Sequence, residues 1–450
     1  MDIEITKPIS GGVVKSVASK SHAHRLLVCA ALATGESYVK CAEIPDDIGA
    51  TVACLRELGA DINHDGAGFT IKPIELPVRC EPIIMNCGES GSTLRFLLPV
   101  CCVLDVSAEF VLRGSLKRRP ISPLLDQLSA HGCSFEFLSY DVAPWEQEGS
   151  PSGGANGAQK PEPLSAIRCL GKLDGGMYEI SGDVSSQFIS GLMLALPLSE
   201  SDSVIVVKGR EESRPYIAMT LDVLDAFGAS VEHVKPLSDW GSVYKIYKSG
   251  LYVTPGTISV EGDWTHAATW LSAGAIGSGA VTCTGLNLGS NQGDMAIVRL
   301  LERFGANVAY EGDSVTVKPG KLCGLQIDAS DIPDIVPILS LVAAVAEGET
   351  LIYNAGRLRL KESDRLHTVA ETLRALGADI TETWDELRIR GKKALNGGTV
   401  SSFGDHRITM MAAIASTACT NPVAITGVEA VNKSYPGFFI DFSELGGEFH

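Results

Sequence analysis

The chain has no apolar segment of the length that crosses a bilayer. None of its apolar runs approaches about 18 residues. The first ten residues, MDIEITKPIS, lack the basic start and apolar centre of a secretion signal. The twelve cysteines form no CxxC pair and no cysteine–histidine pattern with metal-ligand spacing. These absences predict a cytoplasmic protein with buried, reduced thiols, no membrane partner and no metal site.

Positive charge is also scarce. Lys and Arg number 37 against 54 Asp and Glu, which gives a net charge of −17. This balance argues against a general surface for nucleic acid, so no nucleic-acid partner is expected. A small anionic ligand stays compatible with it, because a local group of Arg and Lys side chains sets the local field.

Motifs for nucleotide chemistry are missing as well. The sequence has no GxxxxGK[ST] loop, and no group of Asp and Glu resembles a Mg²⁺ site. Nucleoside-triphosphate hydrolysis and kinase chemistry are therefore unsupported, and no cofactor is expected.

The chain does contain a repeat, and its 450 residues suffice for two or more domains. A helix with a polar start and a small apolar body is predicted six times, at 19–35, 89–102, 183–198, 263–277, 331–346 and 404–417. A more amphipathic helix that ends near a glycine alternates with it, at 54–62, 124–135, 223–231, 300–308 and 372–380.

Short β-type segments flank both kinds of helix, for example at 69–72, 110–113 and 203–207. The two helix types differ in predicted exposure, so the apolar helices should lie inside a layer of sheets and amphipathic helices. The sequence therefore predicts an α/β fold. Residues 141–163, rich in Gly, Ser and Pro, are predicted to form an exposed inserted loop.

The polar starts of the apolar helices carry most of the conspicuous basic and hydroxyl groups. A helix N-terminus presents free N–H groups and the positive end of the helix dipole, which together favour an anion. For a single copy, helix capping is the favoured explanation of such residues, because capping is their commoner use. Six copies with Arg and Lys favour a pocket for a ligand with several phosphates or carboxylates.

Two acids lie among these basic groups. Asp334 begins a buried helix, and Glu362 follows Lys361. A carboxylate near anionic ligands is electrostatically costly unless it moves protons. From the residues alone, Asp334 could equally be a helix cap and Glu362 an ordinary ion-pair partner.

Nine motifs between Ile5 and Phe442 resemble those of the 3-phosphoshikimate 1-carboxyvinyltransferase (EPSP synthase) family. They are SKSHAHR, SGSTLR, KRRPI, VSSQF, ESRPY, IPD, LKESDRL, GDHR and NKSYPGF, of which KESDRL and GDHR are the most specific. The resemblance implies a two-lobed inside-out α/β barrel of six βαβαββ repeats with buried central helices. It also implies three repeats in a lobe made of residues 1–18 and 262–450, and three in a lobe of residues 19–261.

The resemblance further implies an enzyme that transfers the enolpyruvyl group of phosphoenolpyruvate to the 5-hydroxyl of shikimate 3-phosphate, releasing phosphate. The residues implied to bind shikimate 3-phosphate are Lys20, Ser21, Arg25, Ser185, Ser186, Gln187, Ser213, Asp334 and Lys361. Those implied to bind phosphoenolpyruvate are Lys20, Gly91, Arg119, Gln187, Arg365, Arg407 and Lys433. Asp334 is the candidate base and Glu362 the candidate acid, with Lys20 as a rival or a helper. A monomer that glyphosate inhibits in competition with phosphoenolpyruvate is expected.

The sequence departs from the family pattern at several places, among them His22, His24 and the longer loop at 141–163. Glu89–Ser92 (ESGS) stands where many members have Asn-Ala-Gly-Thr, and Arg357 stands where some use Asn to contact the shikimate phosphate. Two alternative functions are open to such a sequence. A transferase acting on UDP-N-acetylglucosamine would carry Lys-Asn where Ser21 follows Lys20, and a Cys within 114–120. A non-catalytic repeat protein that binds anions would not need Asp334 and Glu362.

Overall fold

A computed structural model of the chain describes residues 1–76, 82–140, 164–234 and 241–450. The predicted loop at 141–163 lies outside the described residues. The backbone groups into two units: unit 1 comprises Met1–His22, Glu212–Met219 and Val260–His450, and unit 2 comprises Ala23–Glu211 and Thr220–Ser259.

Both kinds of predicted helix are present. The α-helices of the described residues are α1 Lys20–Ala31, α2 Asp46–Glu57, α3 Gly91–Val103, α4 Ser122–Ala130, α5 Ser186–Ala195, α6 Arg214–Ala226, α7 Trp264–Ile276, α8 Ala296–Phe304, α9 Val336–Val345, α10 Arg365–Ala375, α11 His406–Ala415 and α12 Phe438–Glu444.

Strands occupy the segments around these helices. They are β1 Asp2–Lys7, β2 Gly12–Lys15, β3 Ser37–Lys40, β4 Asp61–His64, β5 Gly68–Lys72, β6 Ile83–Asn86, β7 Ala108–Leu112, β8 Ser134–Tyr140, β9 Leu164–Leu170, β10 Met177–Ser181, β11 Ser203–Lys208, β12 Val231–Val234, β13 Val243–Ile246, β14 Thr257–Ser259, β15 Val281–Thr284, β16 Asn307–Glu311, β17 Ser314–Lys318, β18 Gln326–Asp328, β19 Glu349–Tyr353, β20 Asp379–Glu382, β21 Leu387–Arg390, β22 Gly398–Ser401, β23 Val423–Thr426 and β24 Glu448–Phe449.

The strands form six four-stranded sheets in the described residues. Unit 2 contains the sheets β14-β3-β5-β4, β6-β7-β9-β8 and β10-β11-β13-β12. Unit 1 contains the sheets β2-β15-β17-β16, β18-β19-β21-β20 and β22-β23-β1-β24. In each sheet the first pair in this order is parallel and the other two pairs are antiparallel.

The parallel pair explains where the apolar helices lie. Parallel neighbours need a crossover connection, and α3 supplies it between β6 and β7, as α9 does between β18 and β19. Antiparallel neighbours need only a short turn, as between β20 and β21. The predicted α/β fold with six βαβαββ repeats is therefore confirmed.

The apolar helices are the cores of their units. In α9, VPILSLVAAV, every residue from Val336 to Ala344 is buried. In α8, AIVRLLERF, the apolar side chains after Ala296 are buried while Arg299, Glu302 and Arg303 are exposed. This difference follows from the sequence, because one helix is apolar all round and the other only along one stripe.

The glycine that ends each amphipathic helix is in the left-handed region of backbone conformation. Its φ is between 74° and 109° at Gly59, Gly132, Gly228, Gly305 and Gly377. At Gly305 the backbone N–H bonds the carbonyls of Leu301 and Glu302, which closes the end of α8. Glycine accepts this conformation without the clash that a Cβ would cause.

The bounds of the two units differ from the predicted division at 18/19 and 261/262. Residues 19–22 and 260–261, predicted for the second lobe, lie in unit 1, and so does the short segment Glu212–Met219. Its contacts explain this: the backbone N–H of Ser213 bonds the carbonyl of Ser330 at 3.1 Å, and that of Arg214 bonds Asp331 Oδ1 at 3.2 Å.

All eleven cysteines of the described residues are free thiols, and nine of them are buried, as predicted. Within the same part of the chain, no helix is both long enough and apolar enough to span a membrane.

Candidate active site

A dense group of charges in unit 1 surrounds Arg365, the first residue of α10. Its side chain is 1 % exposed and contacts three carboxylates. Nη1 donates to Asp334 Oδ1 at 2.8 Å, and Nη2 donates to Glu362 Oε2 at 2.5 Å. Nε donates to Asp405 Oδ2 at 2.9 Å. A buried guanidinium held on three sides has one orientation, so this cluster is a rigid part of unit 1.

Asp334 lies on the other side of the same cluster, in a short turn before α9. Lys361 Nζ donates to its Oδ1 at 3.1 Å, and the Tyr216 hydroxyl donates to its Oδ2 at 2.9 Å. Burial by itself raises the pKa of Asp334, but the charges of Lys361, Arg365 and Arg407 outweigh it and hold that pKa well below its ordinary value. The carboxylate is therefore ionised when no ligand shares its cations.

Arg407 has two guanidinium nitrogens that face no acceptor in the part of the chain that the structure describes. It is the second residue of α11, whose cap Asp405 accepts a hydrogen bond from its backbone N–H at 2.9 Å. The side chain is 8 % exposed, and among the described residues neither Nε nor Nη1 has a hydrogen-bond partner. A buried cation with donors left over is the arrangement expected of an anion site.

Two other predicted cations lie in unit 1. Lys433 is buried at the end of the 3-10 turn Val428–Lys433. Lys20 is the first residue of α1, and its backbone N–H lies 3.4 Å from Asp263 Oδ2. Burial, followed by the charges of Arg407 and Lys20, lowers the pKa of His406 far below its ordinary value. Unit 1 thus has a positive field at the starts of α1 and α11.

Ser213 has a strained backbone in unit 1. Its φ is +54°, in the left-handed region that non-glycine residues seldom adopt, and its side chain is buried. Its hydroxyl accepts a hydrogen bond from Arg357 Nη1 at 2.9 Å, and the same nitrogen bonds Glu212 Oε2 at 3.2 Å. Strain of this kind is concentrated at functional sites. Arg357, to which sequence analysis assigned no role, therefore lies beside a predicted phosphate ligand.

In unit 2, Gly91 and Arg119 are close together. Gly91 is the first residue of α3, and Ser90 caps that helix by accepting from the N–H of Thr93. A Cβ on Gly91 would lie 3.0 Å from Arg119 Nη1. The guanidinium thus lies over a helix start that has no side chain of its own there, which combines free N–H groups with a cation.

The carboxylate of Glu89, two residues before α3, accepts hydrogen bonds from a neighbouring turn. Its Oε2 accepts hydrogen bonds from the Ser115 hydroxyl at 3.1 Å and from the Ser115 backbone N–H at 3.4 Å. Ser115 belongs to the 3-10 turn Gly114–Arg118, which leads directly to Arg119. The unusual acid is therefore bonded to the segment that carries a predicted ligand.

The start of α5 is the second polar group in unit 2. Ser185 caps the helix by accepting from the N–H of Gln187, and Ser186 is the first helical residue. The amide of Gln187 is oriented from two sides: its Oε1 accepts from Arg95 Nη1 at 2.6 Å, and its Nε2 donates to Ser92 Oγ at 2.9 Å. The starts of α3 and α5 are thus linked by hydrogen bonds.

Arg25 lies deeper in unit 2 than the other predicted ligands. It is 2 % exposed, its Nε donates to Thr220 Oγ1 at 2.7 Å, and its Nη2 donates to Ser190 Oγ at 3.2 Å. Its guanidinium also lies 5.0 Å from the centre of the Phe96 ring. These contacts hold it against α3 and α5.

The predicted residues divide into two groups by the unit to which they belong. The unit 1 group consists of Lys20, Ser21, Ser213, Asp334, Lys361, Glu362, Arg365, Arg407 and Lys433. The unit 2 group consists of Arg25, Gly91, Arg119, Ser185, Ser186 and Gln187. Sequence reasoning assigned no role to Tyr216 or Asp405. The position of Asp405 directly before an apolar helix, a capping signal, could have identified it.

Solved structures share this fold. An EPSP synthase from Acinetobacter baumannii matches with a TM-score of 0.76 and 24% identity, over 100% of this chain and 99% of that one. The enolpyruvyl transferase NikO from Streptomyces tendae matches with a TM-score of 0.75 and 19% identity, over 100% and 98%. The fold is thus that of the enolpyruvyl transferases. The profile of the EPSP synthase (3-phosphoshikimate 1-carboxyvinyltransferase) family matches residues 3–442, so the chain belongs to that family.

Curated relatives agree with this assignment. A 3-phosphoshikimate 1-carboxyvinyltransferase from Clostridium perfringens is 38% identical over 439 residues, which cover 97% of this chain and 96% of the relative. Another protein of that name, from Clostridium kluyveri, is 39% identical over 439 residues, with 97% and 95% covered. The resemblance stated from the motifs is therefore confirmed.

Proposed function

We propose that the two groups of side chains described above carry out the reaction of the family in this chain. The chain is an enolpyruvyl transferase of the shikimate pathway, in aromatic amino acid biosynthesis, and its substrates are shikimate 3-phosphate and phosphoenolpyruvate. The observation that carries the assignment of roles is the position of Asp334, bonded by Lys361, Arg365 and Tyr216 inside a positive cluster.

The reaction needs a base and an acid. The 5-hydroxyl oxygen of shikimate 3-phosphate attacks C2 of phosphoenolpyruvate and loses its proton, while the methylene carbon C3 gains one. The C2–O bond to phosphate then breaks, C3 loses a proton, and phosphate leaves with the electron pair. No phosphoryl group is transferred, so the enzyme must stabilise the charge on phosphate and move protons.

Asp334 is the proposed base. Without substrates its cations make it a weak base, because they hold its pKa far below neutrality. A bound phosphate or carboxylate would neutralise part of the charge of Lys361, Arg365 and Arg407 and so raise the proton affinity of Asp334. The acid at C3 is Glu362, which Arg365 orients, or Lys20.

The remaining predicted residues bind anionic groups. Arg407, Lys433 and Arg365 in unit 1, with Gly91 and Arg119 in unit 2, are the proposed ligands of phosphoenolpyruvate. Ser185, Ser186 and Ser213 are the proposed ligands of the shikimate phosphate. Ser21, Arg25, Gln187 and Lys361 are assigned to the other groups of shikimate 3-phosphate. We further propose that the protein acts as a cytoplasmic monomer with two lobes, close to the units described above.

A phosphate-release assay tests this proposal. Phosphate should appear only when shikimate 3-phosphate and phosphoenolpyruvate are both present, with an equal amount of the enolpyruvyl ether. Replacing shikimate 3-phosphate with UDP-N-acetylglucosamine should abolish the release. Release with the nucleotide sugar would favour the sister transferase, and tight binding of both substrates without turnover would favour an anion-binding protein.

Light scattering tests the proposed monomer. A measured mass other than about one chain, 47.6 kDa, would contradict it.

A further inference from the structure

A second buried acid lies in unit 1, outside the set of predicted ligands. Asp294 is in the 3-10 turn Gly293–Met295 before α8 and is 2 % exposed. Its Oδ2 accepts a hydrogen bond from Thr265 Oγ1 at 2.5 Å. Its Oδ1 is buried and has no hydrogen-bond partner among the described residues. An unpaired carboxylate oxygen in the interior is costly, so this oxygen calls for a partner.

A small cavity of unit 1 provides room for one. Asp294 lines it together with Tyr216, Thr265, Gln292 and Ser21. The cavity can hold about one water molecule, and its polar lining offers the hydrogen bonds that a buried water needs. Tyr216 also donates its hydroxyl proton to Asp334 Oδ2 at 2.9 Å. Tyr216 therefore both lines the cavity and bonds Asp334, the proposed base.

We propose that Asp294 is a positioning residue that acts on Asp334 through a water molecule in this cavity and the Tyr216 hydroxyl. The water donates one proton to Asp294 Oδ1 and the other to the Tyr216 oxygen. The single hydroxyl proton of Tyr216 then stays directed at Asp334. Hydrogen bonds in such a chain strengthen one another, so Asp294 sets how firmly Asp334 is held. The inference rests on the proposed function, in which Asp334 is the base.

Charged groups around Asp294 make its ionisation sensitive to pH. Burial and the charge of Asp334 raise its pKa to about 7, with a further contribution from Asp263 before α7. The Thr265 hydroxyl and Arg407 on α11 oppose that shift. Lys361, Arg365 and Glu362 act on Asp334 itself. Ionised Asp294 accepts the hydrogen bond of the water more strongly than the neutral acid does, so the coupling should increase above neutral pH.

The pH profile of kcat tests the proposal. We would measure kcat from about pH 5.5 to about pH 9, the range in which a general base titrates. The native enzyme is compared with Asp294→Asn, with Tyr216→Phe and with the double variant. In the native enzyme kcat should rise with pH. The apparent pKa of this rise belongs to the coupled group of Asp294, the water, Tyr216 and Asp334 as a whole. Asp294→Asn keeps the shape of the side chain but cannot ionise. It should lose this rise and lower kcat about tenfold on the alkaline side, as couplings through shared hydrogen bonds do.

Tyr216→Phe tests whether Asp294 acts on Asp334 through the Tyr216 hydroxyl. It removes the hydroxyl between water and Asp334 but leaves Asp294 intact, and it should also abolish the rise. In the double variant, Asp294→Asn should cause no further loss. An unchanged pH profile in Asp294→Asn would overturn the proposal. So would a loss of kcat on Asp294→Asn that is as large in the Tyr216→Phe enzyme as in the native enzyme. If Asp294→Asn does not fold, persistence of the rise in Tyr216→Phe overturns the proposal and its loss supports it.

Two controls separate this inference from the proposed function. Glu109→Gln alters another buried acid, paired with Arg168 in unit 2, and should leave the profile unchanged. Asp334→Asn tests the base itself. Full activity in Asp334→Asn would overturn the assignment of the base. Loss there, with a native profile in Asp294→Asn, would overturn only the role of Asp294.

Discussion

Arg365 shows how single residues organise the candidate site. Its guanidinium bonds Asp334, Glu362 and Asp405, so one buried cation orients the proposed base, the proposed acid and the cap of α11. Each carboxylate loses water on burial and regains an electrostatic partner, and removing one member leaves an uncompensated charge. Functional tests at this cluster therefore need substitutions that keep the shape of the side chain.

Asp334→Asn is such a substitution. It keeps the Tyr216 contact but removes the proton acceptor, so kcat should fall by about 10²–10⁴-fold, the usual contribution of a positioned base. The dissociation constant for shikimate 3-phosphate, measured by calorimetry, should change far less. Glu109→Gln serves as the control for the loss of a buried acid. A kcat near the native value would remove Asp334 from the role of base.

Gly91→Ala tests the approach to the start of α3. The added Cβ would lie 3.0 Å from Arg119 Nη1, so the guanidinium must shift by a few tenths of an ångström. We expect KM for phosphoenolpyruvate to rise by up to about tenfold, since small displacements of a binding group are expensive. The inhibition constant of glyphosate, a longer molecule, should rise further.

Gly49→Ala is the matched control for this variant. Gly49 is also helical, and its nearest neighbour would be Ile44 Cγ2 at 4.0 Å, so both constants should stay unchanged. Equal increases in the two constants of Gly91→Ala would mean that Gly91 shapes the loop without discriminating by ligand length.

At the scale of elements, the repeat contains two kinds of helix, central and amphipathic, with different functions. The central helices bury nearly every residue, and their starts hold Lys20, Gly91, Ser186 and Arg407. The amphipathic helices cover the outside and end at a left-handed glycine. The functional side chains therefore stand on elements whose other residues are fixed by core packing, which limits their movement.

The terminal glycines should matter for stability and leave catalysis unchanged. Gly59→Ala places a Cβ in open space at φ 104°, so only the left-handed conformation is penalised, by about 1 kcal/mol. Gly305→Ala has φ 109° and would also bring its Cβ to 2.3 Å from the carbonyl oxygen of Lys321. It should lose at least about 1 kcal/mol more, as overpacked sites do.

Urea unfolding followed by circular dichroism measures both changes, and KM should stay native in both variants. A smaller loss at Gly305 than at Gly59 would contradict this account of the helix ends.

For the whole molecule, the distribution of charge matters more than its sum. The chain carries a net charge of −17, yet unit 1 has a positive field strong enough to depress the pKa of Asp334. Buried nitrogens of Arg407 have no acceptor in the described residues. An anionic substrate that binds only the folded chain should therefore stabilise the entire protein.

Thermal unfolding with added ligand measures this stabilisation. Shikimate 3-phosphate at 100 times its dissociation constant should add about 2.7 kcal/mol to the free energy of unfolding, which follows from mass action. UDP-N-acetylglucosamine at the same concentration should add nothing. A nucleotide sugar that stabilises the chain equally would contradict the specificity proposed for the site.

The sequence by itself determined the repeat. Apolar periodicity, glycines after amphipathic helices and short β-type segments are local properties, and local properties fix the type of element. The motifs, which are also local, carried the family resemblance and the candidate ligands. Capping residues were recognisable for the same reason, because a cap acts on the helix that directly follows it.

Only the tertiary structure decided which of these residues meet. Arg365 bonds Asp405 across 40 residues, and Tyr216 bonds Asp334 across 118. The grouping of Glu212–Met219 with unit 1, the contact of Arg357 with Ser213 and the hydrogen bond from Thr265 to Asp294 depend on such distant pairs. The pattern along one chain states the period of a helix or strand but not which elements pack together, since packing depends on shape and burial in three dimensions.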